Sequence, residues 1–233
     1  GAGRAPRTRT KMGGRTRGVG VGAAGEAGTG AVGFWLCGRS PRHVTAERAA
    51  ELARRLPPFV TPVLLVVNDT ATNIIAACAR IPAASLQFHG DETPAQCLAA
   101  SQQGQRPFLR AARIPLGEAG QSFDLVKYAQ DYSAARAILL DADVGEFGGG
   151  GKAFDWSLLP PNVNAHLVLS GGLNAANVAN GILLLRPRCK SLAVDVSSGV
   201  EMTGPDGATL KGIKDAEKIK QFVAAVRAAD KHF

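Results

Sequence analysis

The sequence predicts an α/β protein that folds as a single-domain (β/α)8 TIM barrel. Short apolar runs rich in Val, Ile and Leu alternate along the chain with Ala-rich amphipathic stretches. Strands that are apolar at nearly every position are typical of a parallel sheet covered by helices. Eight such strands can be counted, and eight close a barrel. An open, doubly wound sheet is the alternative that this pattern leaves.

The eight predicted strands are spread along the whole chain. Several of them end in a polar residue, as a strand does when it reaches the rim of a sheet. The strands are 9–13, 31–36, 62–68, 85–89, 107–112, 137–141, 166–170 and 191–196.

Two of the connecting helices are weakly specified. Segment 14–30 should supply the first helix, yet it contains several glycines, each of which costs about 1 kcal/mol relative to Ala. Segment 113–136 is polar and irregular, so the fifth helix is poorly defined. The better helices are predicted at 46–56, 70–79, from Asp91 or Thr93 to 101, 174–185 and 214–229.

Net charge is concentrated at the start of the chain. The formal charge is +8, and residues 1–55 alone hold eleven Lys and Arg against three Glu. We interpret residues 1–8 as a disordered basic tail and residues 9–233 as the barrel domain. Because the excess lies in a Gly- and Arg-rich segment and not on a folded face, we expect no nucleic-acid partner.

Composition also narrows the cellular setting. No apolar run approaches the roughly 20 residues that span a bilayer, and the basic N-terminus lacks the apolar stretch of a secretory signal. The cysteines are widely spaced, without a C-x-x-C pair, which favours reduced thiols over a disulfide framework or a zinc site. We therefore expect a cytoplasmic protein without membrane contact or metal. The four cysteines are Cys37, Cys78, Cys97 and Cys189.

Asp141 is the first candidate for chemistry. It ends the sixth predicted strand and is followed by a loop that contains the run 148–151 of four glycines. Active sites of barrels gather at the carboxyl ends of the strands. A carboxyl group there can donate or accept a proton if its surroundings raise its pKa. The simpler alternative is an Asp that caps a turn.

Two glycine- and serine-containing loops predict a phosphate site. One loop follows the seventh strand and the other follows the eighth, which are the positions of the recurrent phosphate site of barrels. Exposed backbone N–H groups in such turns bind anions, although tight turns alone would leave the same pattern. The residues that we assign to phosphate are Gly171, Gly172, Ser197, Ser198 and Gly199.

Two further side chains are candidates for substrate binding. Arg42 follows the second strand, and a guanidinium group suits a planar carboxylate. His89 ends the fourth strand. Taken alone, each has a simpler explanation, because Arg42 could be a surface residue and His89 a packed one.

Together these segments resemble the phosphoribosylanthranilate isomerases of tryptophan biosynthesis. The similarity runs in order over about residues 7–229. The segments that carry it are Ser40-Pro41-Arg42, Leu56-Pro57-Pro58-Phe59-Val60, 86–92, Leu139-Leu140-Asp141, 148–156, 169–174, 195–201 and 211–215.

This resemblance implies an Amadori rearrangement of N-(5-phosphoribosyl)anthranilate that needs no metal or organic cofactor. It implies that Asp141 is the general acid, which protonates the ribose ring oxygen, and that Arg42 holds the anthranilate carboxylate. The two loops would take the phosphate. We expect a small phosphorylated substrate as the ligand, and a monomer or a homodimer.

The first strand departs from the family pattern. The family signature is Lys-Ile-Cys-Gly, whose Cys is the general base that removes the proton from ribose C2. Here the segment is Lys11-Met12-Gly13-Gly14, so the base position is Gly13. Loss of a positioned base typically costs about 10²- to 10⁴-fold in rate. We expect strongly reduced activity, unless Cys37 substitutes as the base.

Two other functions are compatible with parts of this pattern. A barrel without a base could bind phosphorylated sugar ligands without converting them. The other is a related barrel isomerase of histidine biosynthesis. It would need a carboxylate at the end of the first strand, where this chain has Gly13, so the first strand argues against it.

Overall fold

The protein forms a closed eight-stranded parallel barrel. The structure is a computed structural model, and it describes residues 7–14, 22, 24–143 and 153–233. The closed barrel confirms the predicted fold and excludes the open sheet. The barrel strands are β1 (Arg9–Met12), β2 (Ala31–Trp35), β3 (Thr61–Val66), β4 (Ser85–Phe88), β5 (Phe108–Pro115), β6 (Ala137–Asp143), β7 (Val163–Leu169) and β8 (Cys189–Val196).

Pairing of the first strand with the last closes the barrel. Arg9 lies opposite Ala193 and Met12 lies opposite Val196 in a parallel register. Each of the other strands pairs with its neighbours along the chain, as expected when right-handed crossovers join successive parallel strands. All carboxyl ends of the strands therefore meet at one rim of the barrel.

Helices begin where the sequence supplies an N-cap. Thr45, Thr70 and Thr93 each precede a helix in an extended conformation and accept a hydrogen bond from a backbone N–H in the first turn. The α-helices whose two ends both lie among the described residues are α1 (Ala46–Ala53), α2 (Ala71–Arg80), α3 (Pro94–Ala100), α4 (Leu125–Asp131), α5 (Val178–Leu185) and α6 (Ala216–Ala229).

The weakly specified connections differ from their neighbours. Helix α4 is only seven residues long, and a 3₁₀ segment at Gly117–Ser122 precedes it. In the segment between β1 and β2, residues 22 and 24–26 are helical. The sequence predicts that helix α5 starts at Asn174, but it starts at Val178, because a turn occupies the intervening residues.

A hairpin that the sequence pattern did not predict follows β8. Its strands are β9 (Glu201–Thr203) and β10 (Thr209–Lys214), which pair antiparallel. The sequence pattern places Lys214 at the start of the last helix, but in the structure Lys214 ends β10, and α6 begins after the N-cap Asp215.

Side chains alternate between two layers. One set packs between the sheet and the helices and includes Phe34, Phe88 and Phe108, all essentially inaccessible to solvent. A second, much smaller set fills the inside of the barrel with Ala111, Leu139 and Val168. Because strand residues alternate faces, the residues two positions after these three also point into the barrel, nearer to the rim at the carboxyl ends of the strands.

The start and the end of the described chain are joined at the end of the barrel that lies opposite the carboxyl rim. Thr8 donates to Asp230 through its backbone N–H (2.9 Å) and its hydroxyl (2.6 Å), and Arg186 Nη1 pairs with the same carboxylate at 2.7 Å. Thr8, which we expected in the tail, is buried. The tail residues 1–6 lie outside the described residues. Within the described ranges, no helix is both long and apolar enough to cross a bilayer.

Candidate active site at the carboxyl rim of the barrel

The inward alternation collects polar side chains at the carboxyl rim. Asp141 shares its face of β6 with Leu139, and Asp195 shares its face of β8 with Ala193. Most of these groups are buried although they are polar or charged, which costs free energy unless they are paired. The inward polar residues at this rim are Lys11, Trp35, Gln87, Arg113, Asp141, Ser170 and Asp195.

Asp141 is held at both of its carboxylate oxygens. Its Oδ2 lies 2.9 Å from His89 Nε2, and its Oδ1 accepts a hydrogen bond from the Ala142 N–H at 2.9 Å. The other ring nitrogen of His89, Nδ1, lies 3.0 Å from Gln87 Nε2. All three side chains are buried. His89, which the sequence predicts as a substrate-binding residue, therefore lies in direct contact with Asp141.

Gly13 faces the inside of the rim just after β1. A Cβ atom at this position would lie 3.4 Å from Trp35 Nε1, 3.8 Å from Asp195 Oδ1 and 3.9 Å from Lys11 Nζ. Lys11 and Asp195 form an ion pair of 3.0 Å in which both side chains are more than nine-tenths buried. The position where the family has its base is therefore bordered by a carboxylate, an ammonium group and an indole N–H.

Arg42 is buried and already paired. Its Nε and Nη2 donate to Glu201 Oε1 (2.7 Å) and Oε2 (2.9 Å), and its guanidinium carbon lies 5.4 Å from the centre of the Trp35 ring. Arg42 is therefore not the surface residue that the sequence left as the simpler alternative, and its guanidinium group meets a carboxylate of its own chain. Glu201 had no assigned role in the sequence interpretation.

Glu201 is the centre of a buried charge cluster. Lys214 Nζ lies 3.0 Å from its Oε1, and the Gly212 N–H donates to the same oxygen at 2.8 Å. Burial opposes ionisation of this carboxyl group. The hydrogen bond from Arg42, the charge of Lys214 and the Gly212 N–H outweigh that penalty and lower its pKa to about 2. Glu201 is therefore an anion at any physiological pH.

The two predicted phosphate loops pack directly against each other. A Cβ atom on Gly199 would overlap the Leu173 carbonyl oxygen and lie 3.3 Å from the Asn174 Cα. Gly171 and Gly172 both have positive φ (80° and 65°), a conformation that favours glycine. Ser197 lies between β8 and the 3₁₀ turn Ser198–Val200. All five assigned residues are half-buried.

A cation lies beneath the second loop. Lys214 Nζ, which is inaccessible to solvent, donates to the Ser197 carbonyl oxygen at 2.9 Å and approaches the Ser197 hydroxyl at 3.3 Å. Its positive charge adds to the N–H groups of the turn. The arrangement of two adjoining loops over a buried cation suits a small anion.

Cys37 lies after β2 and lines a cavity of about 350 Å³ with Asn68 and Asp69. The three atoms nearest to the Gly13 Cβ position belong to Trp35, Asp195 and Lys11, and none of them belongs to Cys37. All four cysteines are free thiols. The glycine run 148–151 of the loop after Asp141 lies outside the described residues. In the described ranges, no group of three His, Cys, Asp or Glu side chains could hold a metal ion.

Several site residues had no signal of their own in the sequence interpretation. Trp35 and Gln87 lie within mostly apolar strands and Lys11 lies within the short polar strand β1, so only the alternation of faces marks them as inward residues. Ser170 and Asp195 lay within predicted loop motifs but had no assigned role. A simple rule would have identified them: a residue near the end of a strand points inward when the residue two positions before it points inward.

The chain is similar throughout its length to one family. The model of a family described as N-(5′-phosphoribosyl)anthranilate (PRA) isomerase matches residues 11–225. Two curated relatives carry the name N-(5′-phosphoribosyl)anthranilate isomerase. The one from Methylibium petroleiphilum is 56% identical, covering 96% of each chain. The one from Leptothrix cholodnii is 54% identical, covering 96% of this chain and 93% of the relative.

Solved structures of proteins with the same name have the same fold. The phosphoribosyl anthranilate isomerase from Thermus thermophilus has a TM-score of 0.79 at 25% identity, covering 95% of this chain and 99% of its own. One solved in complex with reduced 1-(o-carboxyphenylamino)-1-deoxyribulose 5-phosphate has a TM-score of 0.73 at 29% identity. Another describes monomers of the dimeric enzyme from Thermotoga maritima, with a TM-score of 0.72 at 30% identity. Both cover 95% of this chain and 99% of their own.

Proposed function

The chain belongs to the N-(5′-phosphoribosyl)anthranilate isomerase family, and we propose that its carboxyl rim performs that isomerisation with Asp141 as the general acid. The chain is an isomerase of tryptophan biosynthesis. The reaction converts N-(5-phosphoribosyl)anthranilate into 1-(2-carboxyphenylamino)-1-deoxyribulose 5-phosphate. The observation that carries the role of Asp141 is its inward, buried position, with both oxygens held by neighbours.

An acid in this position fits the first chemical step. Protonation of the ribose ring oxygen allows the C1–O bond to break while the nitrogen lone pair forms a C1=N bond. His89, fixed between Asp141 and Gln87, keeps the carboxyl group in one orientation. Removal of the C2 proton then gives an enaminol, which becomes the ketone product. A positioned acid of this kind contributes about 10²- to 10⁴-fold in rate.

We assign the phosphate group of the substrate to the adjoining loops. Gly171 and Gly172 offer backbone in a positive-φ conformation, and Ser197, Ser198 and Gly199 lie above the buried Lys214. The relative solved with a reduced phosphorylated product analogue supports a ligand of this class. Arg42 remains our candidate for binding the anthranilate carboxylate. The substrate carboxylate would then either share the guanidinium group with Glu201 or displace Glu201 from it.

The missing side chain at Gly13 lowers the expected rate. A general base contributes about as much as a general acid, and Gly13 has none to offer. We therefore propose slower turnover than in a relative with a thiol at this position. The same feature favours a second candidate function, a barrel that binds the phosphorylated ligand without converting it.

Assembly and location follow from the family in the same way. We propose a monomer or a homodimer, the latter supported by a dimeric relative from Thermotoga maritima. We propose a cytoplasmic location, supported by the metabolic role of the family and by four free thiols.

Substitution of Asp141 tests the proposal. Substrate loss is followed by fluorescence for the wild-type chain, for Asp141→Asn and for the exposed control Asp131→Asn. We expect Asp141→Asn to lower kcat/KM by about 10²- to 10⁴-fold because the acid is lost, while Asp131→Asn changes it less than about twofold. The same variants are also compared in a Gly13→Cys background, in which we expect faster turnover.

Binding is measured separately by calorimetry with the reduced product analogue. Asp141→Asn should bind it with nearly wild-type affinity. Binding by the wild-type chain without turnover in either background would favour the binding function. Retention of more than a third of the activity in Asp141→Asn would refute its role as the acid.

A further inference from the structure

We propose that Asp195 is the general base of this chain, acting through one water molecule in the space beside Gly13. The proposal rests on the isomerase function proposed above and assigns its second proton transfer. Asp195 belongs to β8, next to β1, so the barrel closure itself brings it to the position where Gly13 lacks a side chain.

The space beside Gly13 is polar. Apart from Gly13 and its two neighbours in the chain, no atom lies closer than 3.4 Å to the Cβ position, and the three nearest atoms are a nitrogen, an oxygen and a second nitrogen. A bound water needs two to four polar partners. Trp35 Nε1, Asp195 Oδ1 and Lys11 Nζ supply three of them.

Trp35 gives independent support for an acceptor at this point. Its indole N–H is buried and has no hydrogen-bond partner among the described residues, and Nε1 is the atom nearest to the Gly13 Cβ position. A buried donor left without an acceptor costs about 1–3 kcal/mol. A water that accepts from this N–H and donates to Asp195 Oδ1 removes the penalty.

Asp195 is held in place at both of its carboxylate oxygens. The Lys11 ammonium group lies 3.0 Å from its Oδ1, and the Ser170 hydroxyl lies 3.4 Å from its Oδ2. Both groups of the pair are buried, so little solvent competes for the carboxylate.

The step balances without a further reagent. The ribose C2–H bond breaks and its proton passes to the water, while a water proton passes to Asp195 Oδ1. The electron pair of the broken bond forms C1=C2, and the C1=N pair returns to the nitrogen. Asp195 then gives its proton back through the water to C1. The C2 hydroxyl proton passes to the Asp141 carboxylate that ring opening left behind, so C2 becomes the ketone and both carboxyl groups return to their starting states.

A double-mutant cycle between positions 13 and 195 tests the proposal. The wild-type chain, Asp195→Asn, Gly13→Cys and the double variant are compared by kcat/KM in the fluorescence assay. In the wild-type background we expect Asp195→Asn to lose at least about 100-fold. In the Gly13→Cys background, where a thiol supplies the base, we expect a loss of less than about tenfold.

Each outcome decides for or against Asp195. Equal losses in the two backgrounds would overturn the proposal, because they would show that Asp195 serves folding or binding alone. A wild-type chain without turnover beside an active Gly13→Cys variant would also overturn it, yet would leave the isomerase function standing. No turnover in either background would count against both.

A second variant covers a failure of Asp195→Asn to fold. Trp35→Phe keeps an aromatic ring but removes the N–H that holds the water. We expect it to lower kcat/KM by about tenfold in the wild-type background and by less than about threefold with Gly13→Cys. Equal effects of Trp35→Phe in the two backgrounds would overturn the water route.

Discussion

At the residue scale, Gly13 and Gly14 differ in what a side chain would meet. A methyl group on Gly13 makes ordinary contacts from 3.4 Å outward. Gly14 has a φ of +73°, and a methyl group there would overlap Cδ of Arg42. Gly14 is therefore required by the backbone and by the packing of Arg42, whereas Gly13 is not.

Alanine substitutions at the two positions should separate these demands. We expect Gly13→Ala to lower the free energy of unfolding by only about 1 kcal/mol, because the methyl group makes ordinary contacts but displaces the proposed water from the Trp35 N–H. We expect Gly14→Ala to lower it by about 2 kcal/mol or more, through backbone strain and displacement of Arg42. Urea unfolding of both variants measures the difference. Similar losses at the two positions would contradict the assigned backbone geometry.

Glu201 predicts a specific acid sensitivity. Its pKa is about 2 in the folded chain against an ordinary value of 4.5, so its stabilising effect is complete above about pH 4.5. That effect is lost as the pH falls through about 2, and it amounts to about 3 kcal/mol. In Glu201→Gln we expect lower stability at neutral pH, because Arg42 and Lys214 keep buried charges, and a flatter decline on acidification.

Urea unfolding at a series of pH values compares Glu201→Gln with wild type, and exposed Glu118→Gln is the matched control. An acid decline as steep in Glu201→Gln as in the wild-type chain would show that this cluster does not set the acid limit.

At the same scale, the sequence predicts some site residues and not others for a physical reason. Asp141 follows an apolar strand, so its polarity stands out against its neighbours. Lys11 and Trp35 come from strands whose bounds were right, but only knowledge of the inner face identifies them. The partner of Arg42, Glu201, is 159 residues away, and no local pattern links two such residues.

At the element scale, helix α3 depends on its first turn. The Thr93 hydroxyl accepts from the Gln96 N–H, and the Gln96 side chain accepts from the Thr93 N–H, which forms a capping box. Helices as short as seven residues gain little from propensity alone. The cap is therefore a large part of what fixes where α3 starts.

We expect Thr93→Ala to lower the free energy of unfolding by about 1 kcal/mol. Thr93→Ser keeps a hydroxyl acceptor and should recover most of that loss. Chemical denaturation with circular dichroism measures both variants. A serine variant as unstable as the alanine variant would assign the effect to the lost methyl group and not to the cap.

Predictability from sequence varies between elements for the same reason. Strands buried on both sides and helices with a threonine cap carry strong local signals, so they were found within a few residues. The hairpin of β9 and β10 has exposed, mixed sequences such as Met202 and Leu210, and the ion pair of Glu201 with Lys214 joins its two strands. Its stability comes from tertiary contacts that a local pattern does not contain.

At the scale of the whole molecule, the Asp230 carboxylate joins β1 to the end of α6. It accepts two bonds from Thr8 and pairs with Arg186, and both charged side chains are largely buried. We expect Asp230→Ala to lower the free energy of unfolding by about 3 kcal/mol, because a buried arginine loses its partner. Asp230→Asn, which keeps an acceptor for Thr8, should lose less.

Urea unfolding and the thermal midpoint measure both variants. We expect their kcat/KM values to remain at the wild-type level, because Asp230 lies at the end of the barrel opposite the rim. Loss of activity without loss of stability would contradict a purely closing role for this carboxylate.

The overall fold was the most predictable feature, since eight apolar strands separated by helices allow few other arrangements. The single-domain barrel also shows why closure matters for the site. Lys11 and Asp195, the buried pair beside Gly13, are separated by 184 residues. A nascent chain on the ribosome therefore has no functional rim until β8 has emerged and paired with β1. Contacts of such long sequence separation form slowly, so activity should be among the last properties that a refolding chain recovers.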